Sequence, residues 1–517
     1  MVAAEPAASG GSGAPGASDA AGTSGAVDST GTSGPAGAAA ASGAAGEGAV
    51  SGAAGGLAAG GPVAEQSVTT RVWRAAALAT LAGGLGIGVM SGHRRLGRAV
   101  PLATAGIALG CAVPLVLGSR HPPISPEEAG AALARCERRP TFSVVVGARD
   151  EAAVLPQLVS DLSRQDYRAA NGTPMFELIV VDDRSTDGTA ESVIAAAAEH
   201  GISAITRVIR RRGDGLPDGK GAALTAVQPE ICGGDVVLVL DADARLDPAL
   251  LRRAAGYFAA GANAVTARRR ILDAESSWLA GAQADEQTFD GEVNRGRWAF
   301  GGCSEFRGNG IMLRRELLAA AGGWRAAALT EDIDLSSRIA AGAGERVAWA
   351  LDAEVWEEPV RSIERLWRQR LRWAEGAFRR AFEQGPAVVT SPKLSARARV
   401  DFVTYVGQLA MPPIILGAVA ASIATRRGRG VLSLLAGYFG FTALIGWDSL
   451  RWQRRPDRRP LGARERLGRA LRVSLFNGLW LLVVPRALLD MTRRRGPLRY
   501  VKMEHGGAGE PAVSAGL

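Results

Sequence analysis

Between about residues 140 and 240 the chain alternates short, unbroken apolar runs with longer segments of mixed polarity. Phe142-Ser143-Val144-Val145-Val146, Leu178-Ile179-Val180-Val181 and Val236-Val237-Leu238-Val239-Leu240 are rich in β-branched residues and too short for helices. Such runs read as strands buried on both faces, the signature of a mostly parallel sheet. Helices are expected over about 153–165, over Thr189–Glu199 and from Gly219-Lys220-Gly221 onward, with a further strand at Ala204–Ile209. Strand alternating with helix implies right-handed βαβ crossovers and an α/β fold. Beyond about 262 the pattern becomes mixed, as it does where a sheet acquires antiparallel members.

Longer apolar stretches flank this block. Ala75 to Gly92 and Ala99 to Ser119, joined across His93-Arg94-Arg95, predict an N-terminal membrane hairpin over 71–119. A buried helical hairpin of a soluble domain is the competing interpretation. Phe402 to Thr425 and Gly430 to Trp447 are long enough to span a bilayer. The run from about Val473 to Pro485 is short and bounded by Arg472 and Arg486, so it is expected to snorkel or to lie partly in the interface. Ile363 to Phe382 sets Leu366, Trp373 and Phe378 among many arginines, the pattern of a basic amphipathic helix at a membrane interface; a solvated surface helix is the alternative.

Five regions follow. Residues 1–66 are a Gly/Ala/Ser-rich tail with too little apolar surface to fold, and they lack the basic start and apolar core of a signal peptide. The hairpin spans 71–119, the α/β domain with its closing amphipathic helix spans 140–385, and C-terminal membrane segments span 400–490. A basic, then flexible tail occupies 491–517.

Charge adds an orientation. The net charge is +9 over 517 residues, and arginines gather beside the apolar segments. The loop before the last segment carries Arg451, Arg454, Arg455, Arg458, Arg459, Arg464, Arg466 and Arg469, which marks it as cytoplasmic. Counting back through two spans places the α/β domain in the cytoplasm of a multi-pass protein of the cell membrane. The basic hairpin tip at 93–98 fits that count less well. No zinc-finger spacing or basic-region heptad is present, so no nucleic-acid partner is expected. The four cysteines lack CxxC spacing and the four histidines are dispersed, which argues against a disulfide framework or a structural zinc site.

The chemistry lies in carboxylates placed after the strands. Asp182-Asp183-Arg184-Ser185-Thr186-Asp187 follows the second strand and Asp241-Ala242-Asp243 follows the 236–240 strand. Carboxylates at such strand ends converge on the crevice where open α/β sheets bind ligands. The Asp241/Asp243 pair suits a hard cation such as Mg²⁺ or Mn²⁺, with further oxygens from a diphosphate. Asp183 suits hydrogen bonding to a base or ribose, and Lys220 suits a phosphate. Thr330-Glu331-Asp332-Ile333-Asp334 reads as a helix start, acidic in its first turn and capped by Thr330. Gly308-Asn309-Gly310 is a turn or a place of close approach to a substrate.

Taken in order, Ala148-Arg149-Asp150-Glu151, Val181–Asp187, Lys220, Asp241-Ala242-Asp243, Thr330-Glu331-Asp332 and Gln369-Arg370-Leu371-Arg372-Trp373 resemble the membrane-bound, processive-type branch of the family 2 glycosyltransferases. That group includes cellulose and hyaluronan synthases and ceramide glucosyltransferases. The resemblance implies a GT-A domain and a nucleotide-diphosphosugar donor held by Ala148, Asp150, Glu151, Asp183, Lys220 and Asp241. It implies a divalent metal, Mg²⁺ or Mn²⁺, on Asp243 and Asp241, and Asp332 as the base that deprotonates an acceptor hydroxyl with inversion at the anomeric carbon. Glu331, Gln369, Arg372 and Trp373 would face the diphosphate and acceptor. Asp150 departs from the pattern, since many relatives carry Asn there. A lipid or lipid-linked acceptor is the expectation, with a processive polysaccharide synthase and an inactive membrane scaffold as alternatives. A nucleotidyltransferase is disfavoured because Gly147-Ala148-Arg149-Asp150-Glu151 lacks repeated glycines.

Overall fold

The computed structural model describes residues 62–90, most of 105–118, 121–213, 217–425, 429–453 and 459–494. The expected tail up to residue 61, the hairpin tip and the tail beyond 494 lie outside the described residues.

Eight strands form one sheet: β1 (Phe142–Ala148), β2 (Phe176–Asp183), β3 (Thr206–Arg211), β4 (Val236–Leu240), β5 (Arg245–Leu246), β6 (Ala264–Ile271), β7 (Ile311–Arg314) and β8 (Ala348–Glu357). Their order is β3-β2-β1-β4-β7-β6-β8-β5. β1 to β4 run parallel, with Val146 opposite both Val180 and Leu240. β7 is antiparallel to β4 and β6, while β8 returns parallel to β6. The chain winds outward from β1 through β2 to β3, then crosses to β4 on the other side. The crevice between β1 and β4 is therefore a switch point of strand order, where open sheets of this kind bind ligands.

Every residue of β4 is fully buried, which explains the unbroken apolar run. Successive side chains point to opposite faces. Val144, Val146, Val180 and Leu238 pack with Leu158, Val193 and Phe258 on one face. Val145, Ile179, Val237 and Val239 pack with Leu224, Phe306, Leu335 and Ile339 on the other.

The Thr189–Glu199 helix and the β4 bounds match expectation; β3 begins at Thr206 because Ser203–Ile205 form a 3₁₀ turn. The helix opened by Lys220 ends at Leu224. Thr330 precedes the Glu331–Ala343 helix without making a side-chain cap bond, contrary to expectation. Its side chain packs against Gly376, where a Cβ would come within 2.4 Å of Thr330 Cγ2.

Among the described residues three helical runs are long and apolar enough to cross a membrane: Thr70–Met90, Ala396–Thr425 and Ala463–Arg493. The last corrects the expected short segment at 473–485, because helices Ala463–Asn477 and Trp480–Arg493 join almost without interruption. Gly88 and Gly417 let Pro62–Met90 and Met411–Thr425 meet backbone to backbone. A Cβ on Gly88 would fall 2.1 Å from the Ile414 carbonyl oxygen, and one on Gly417 would fall 2.3 Å from that of Leu85. Small residues at such crossings permit the close approach that membrane helices use for packing.

The basic amphipathic helix, Ile363–Glu383, does not rest on an open interface. Its Trp367, Leu371 and Ala374 pack on Val483 and Ala487 of the Trp480–Arg493 helix. A long helix at Trp278–Phe300 lies between the sheet and the C-terminal helices. Its Asp285 receives both Arg469 and Arg472, each at 2.7 Å.

Candidate active site

The strand ends β1, β2 and β4 open on a cavity of about 950 Å³. Ala148, Glu151, Asp183, Lys220, Asp241, Asp243, Glu331, Asp332, Gln369, Arg372 and Trp373 all line it. Sheet register explains the first of these: Ala148 stands opposite Asp182, so the carboxylates that end β2 and follow β4 emerge beside the end of β1. The cavity does not stop at the α/β domain. It continues between helices, past Leu409, Pro412, Leu434, Phe441, Ile445 and Trp480.

Lys220 is the central cation. Its Nζ donates to Asp241 Oδ1 at 2.5 Å and to the Gly308 carbonyl at 3.0 Å, and stands 3.5 Å from Glu331 Oε1. Burial alone would lower its pKa, but Asp241, Glu331 and Asp332 outweigh burial and hold it above the usual lysine value. Gly308, at φ +68°, turns its carbonyl toward this ammonium. Asn309 Oδ1 accepts the backbone N–H of Asp241 at 3.1 Å. The Gly308-Asn309-Gly310 turn is thus a brace for the Asp241 strand end. Lys220→Gln removes the ammonium that Asp241 and Glu331 share at the cavity wall. Donor KM should rise about ten- to a hundredfold, the scale of one charge-assisted hydrogen bond; an unchanged donor KM would remove Lys220 from donor binding.

Glu331 and Asp332 are neighbours at the first turn of their helix. Burial raises the pKa of each above the ordinary carboxylate value; at Glu331 Lys220 opposes the rise and the Asp332 charge reinforces it. At Asp332 the Ile333 backbone N–H, Arg307, Lys220 and Arg269 oppose the rise. A carboxylate held so is a stronger base than a solvated one.

Three stretches of the expected site carry contacts that the sequence does not show. Asp183 is already paired: Arg211 Nη1 lies 2.7 Å and Arg184 Nε 3.0 Å from its Oδ1, so a nucleoside would share it with two guanidinium groups. Asp150 does not line the cavity. It sits at φ +51° and its Oδ1 accepts the Thr186 N–H at 2.7 Å, which closes the loop after β1. On the Ile363–Glu383 helix, Arg370 rather than Arg372 is fully buried, ion-paired to Glu286 and 4.1 Å from the Trp373 ring centroid. Its Nη1 also donates to Gln369 Oε1 at 2.6 Å, which orients that amide.

Sequence patterns alone missed Arg269, Glu357, Arg307, Glu305 and Tyr405, all of which line the cavity. Arg269 makes a two-point pair with Glu357, 3.0 and 2.6 Å. Arg269 stands near the end of β6 and Glu357 at the end of β8, the same kind of position that marks Asp241; the Glu357-Glu358 pair after an apolar strand is a signal that could have found it.

Asp241 and Asp243 offer hard oxygen donors suited to Mg²⁺ or Mn²⁺. No group of three or more ligating side chains occurs among the described residues, so a cation here needs oxygens from the donor itself.

Residues 140–376 match the family described as Glycosyltransferase like family 2. The chain is 29% identical over 386 residues to a beta-monoglucosyldiacylglycerol synthase of Synechocystis sp., covering 72% of this chain and 77% of the relative. The corresponding synthase of Nostoc sp. is 28% identical over 72% of this chain and 78% of its own length. Among solved structures, a mannosyltransferase of Pyrobaculum calidifontis in complex with GDP-Man and Mn²⁺ aligns with TM-score 0.49 and 19% identity, over 82% of this chain and 100% of that one. The sheet with its acidic strand ends and the matched residues 140–376 lead to one conclusion: this stretch is a glycosyltransferase domain of the family 2 kind, built on a mixed α/β sheet.

Proposed function

We propose that the enzyme transfers a hexose from a nucleotide-diphosphosugar to the hydroxyl of a lipid, with diacylglycerol as the acceptor class, at the cytoplasmic face of the membrane. One observation carries this: a single cavity joins the carboxylates to an apolar slot between helices, so a lipid can stay among the helices with its hydroxyl beside Asp332. The relatives from Synechocystis and Nostoc bear the name of a glycolipid synthase, which supports the same acceptor. Arg469 and Arg472 of the basic C-terminal region pair with Asp285 of the catalytic unit, so both lie on one membrane face. Arginine-rich loops favour the cytoplasm.

Asp332 takes the proton as the acceptor oxygen attacks the anomeric carbon. The bond to the diphosphate breaks with its electron pair leaving on the phosphate, and attack from the opposite face inverts the anomeric configuration. Lys220 and Arg372 stabilise charge on the departing diphosphate. Ala148, Glu151 and Asp183 face the nucleoside, while Glu331, Gln369 and Trp373 border the acceptor. Mg²⁺ or Mn²⁺, bound by Asp243 with Asp241 and the donor, would neutralise the diphosphate.

Membranes containing the protein should transfer label from one of a panel of uridine- and guanosine-diphosphosugars to added diacylglycerol. The product should be lipid-extractable, chelator should abolish transfer, and Mg²⁺ or Mn²⁺ should restore it. A water-soluble polymer as product would make the enzyme a polysaccharide synthase. Donor hydrolysis without any lipid product would overturn the lipid assignment, and inertness across the panel would favour a scaffold.

A further inference from the structure

Where the carboxylate end of the cavity meets the slot between helices, a second polar cluster is built from Glu305, Arg307, Arg380, Asp290 and Tyr405, all of them lining the cavity. Glu305 is 2% exposed and Arg380 5%. Glu305 Oε1 accepts from Arg380 Nη1 at 2.8 Å. Its other oxygen, Oε2, is buried and has no hydrogen-bond partner among the described residues; the nearest cation is Arg297 Nη1 at 3.9 Å. Arg307 donates through Nη2 to Asp290 at 2.9 Å and to the Tyr405 hydroxyl at 2.5 Å. The Nε–H groups of Arg307 and Arg380 are likewise buried without partners.

Native interiors leave few such groups, and each calls for a physical reason. Here one acceptor and two donors without hydrogen-bond partners belong to three side chains that line one cavity. The backbone beneath them is pinned: Asn294 exchanges two hydrogen bonds with Glu305, 2.6 and 3.0 Å. Ser336 Oγ accepts the Phe306 N–H at 2.8 Å and donates to the Asp332 carbonyl at 2.7 Å, which ties this segment to the helix of Asp332. The cluster therefore sits at a fixed place beside Asp332, on the side toward the slot.

We infer that Glu305, with Arg307 and Arg380, forms the acceptor head-group subsite, and that it selects an uncharged head bearing hydroxyl and carbonyl oxygens over a phosphate. Glu305 Oε2 accepts a head-group hydroxyl, and the two Nε–H groups donate to its carbonyl oxygens. Charge decides against a phosphate. Arg297, Arg307 and Arg380 are matched by Glu305, Asp290 and Asp401, with the Arg297–Asp401 pair at 3.0 Å, so no net positive charge is left for an anion. Burial pushes the Glu305 pKa up, but Arg380, Arg297 and Arg307 bring it below the usual value, so the group is an acceptor only.

This inference rests on the lipid-acceptor assignment, and the test separates the two. In detergent-solubilised full-length enzyme, wild type is assayed with diacylglycerol, phosphatidic acid and a polyprenyl phosphate. Diacylglycerol should be the best acceptor. Glu305→Gln should raise the diacylglycerol KM about tenfold or more, with kcat falling less and the affinity for nucleoside diphosphate unchanged. A diacylglycerol KM within twofold of wild type, or a wild-type preference for either phosphate lipid, overturns the subsite. Failure of wild type to use any lipid overturns the assignment beneath it instead. If Glu305→Gln does not fold, Arg307→Lys, which keeps the charge but loses Nε, should raise the same KM, and the wild-type acceptor ranking stands as an independent check.

Discussion

Asp332→Asn is expected to lower kcat for transfer by about 10²–10⁴-fold, the range set by loss of a positioned general base. Binding of the nucleoside diphosphate should be retained. The parent enzyme should show an acid limb in kcat/KM, displaced upward from an ordinary aspartate because burial raises the Asp332 pKa. Activity falls as pH drops through that raised value, and the limb should vanish in the variant. The same shift predicts stability. A carboxylate whose folded pKa is raised binds its proton more tightly in the folded state, so it costs stability at neutral pH. That cost fades as pH falls from the raised folded value toward the unfolded value of about 4. Removing the charge should thus leave thermal stability equal or higher while transfer is lost. Retained transfer, or loss of activity only in step with unfolding, would exclude Asp332 as the base.

The second large effect concerns assembly of the catalytic unit with the helices that follow it. Arg297 is 1% exposed, places Nε 3.2 and 3.0 Å from the two Asp401 oxygens, and stacks its guanidinium 3.6 Å from the Tyr405 ring centroid. Asp401 Oδ2 also accepts the Cys303 N–H at 2.8 Å. Arg297→Met should destabilise the protein by about 3–5 kcal/mol, because it leaves a buried carboxylate without its partner. Detergent-solubilised protein should lose several degrees of melting temperature. Arg297→Met with Asp401→Leu should recover most of that loss, since an apolar pair of similar volume often replaces a buried ion pair without penalty. A single variant as stable as the parent would show that the pair contributes little.

Several parts of this architecture are legible in the amino-acid order. Strands buried on both faces must be apolar throughout, so β1, β2 and β4 stand out as short β-branched runs. A carboxylate directly after such a run lies at the sheet edge, and that alone brings Asp183, Asp241 and Asp243 to one crevice. Segments rich enough in apolar residues to cross a bilayer are likewise visible from composition, and Thr70–Met90 and Ala396–Thr425 follow from it.

Tertiary structure decided the rest, because polarity along a chain does not say which polar groups find partners. The Trp278–Phe300 helix holds Asp285, Glu286, Glu292, Asn294, Arg295 and Arg297, a composition that suggests a solvated surface, yet all are buried. Distant residues, Arg469, Arg370, Glu305 and Asp401, satisfy Asp285, Glu286, Asn294 and Arg297, while Glu292 and Arg295 pair with each other on the helix. Local spacing could not tell Arg370 from Arg372, nor show that Asp183 meets Arg211 or that Asp150 closes a loop. Nor could it show that the catalytic crevice and the slot between helices form one cavity, since those walls come from segments far apart in sequence. Short-range order determined strands, spans and the acidic strand ends. Only long-range packing decided which charges are paired and which face the cavity.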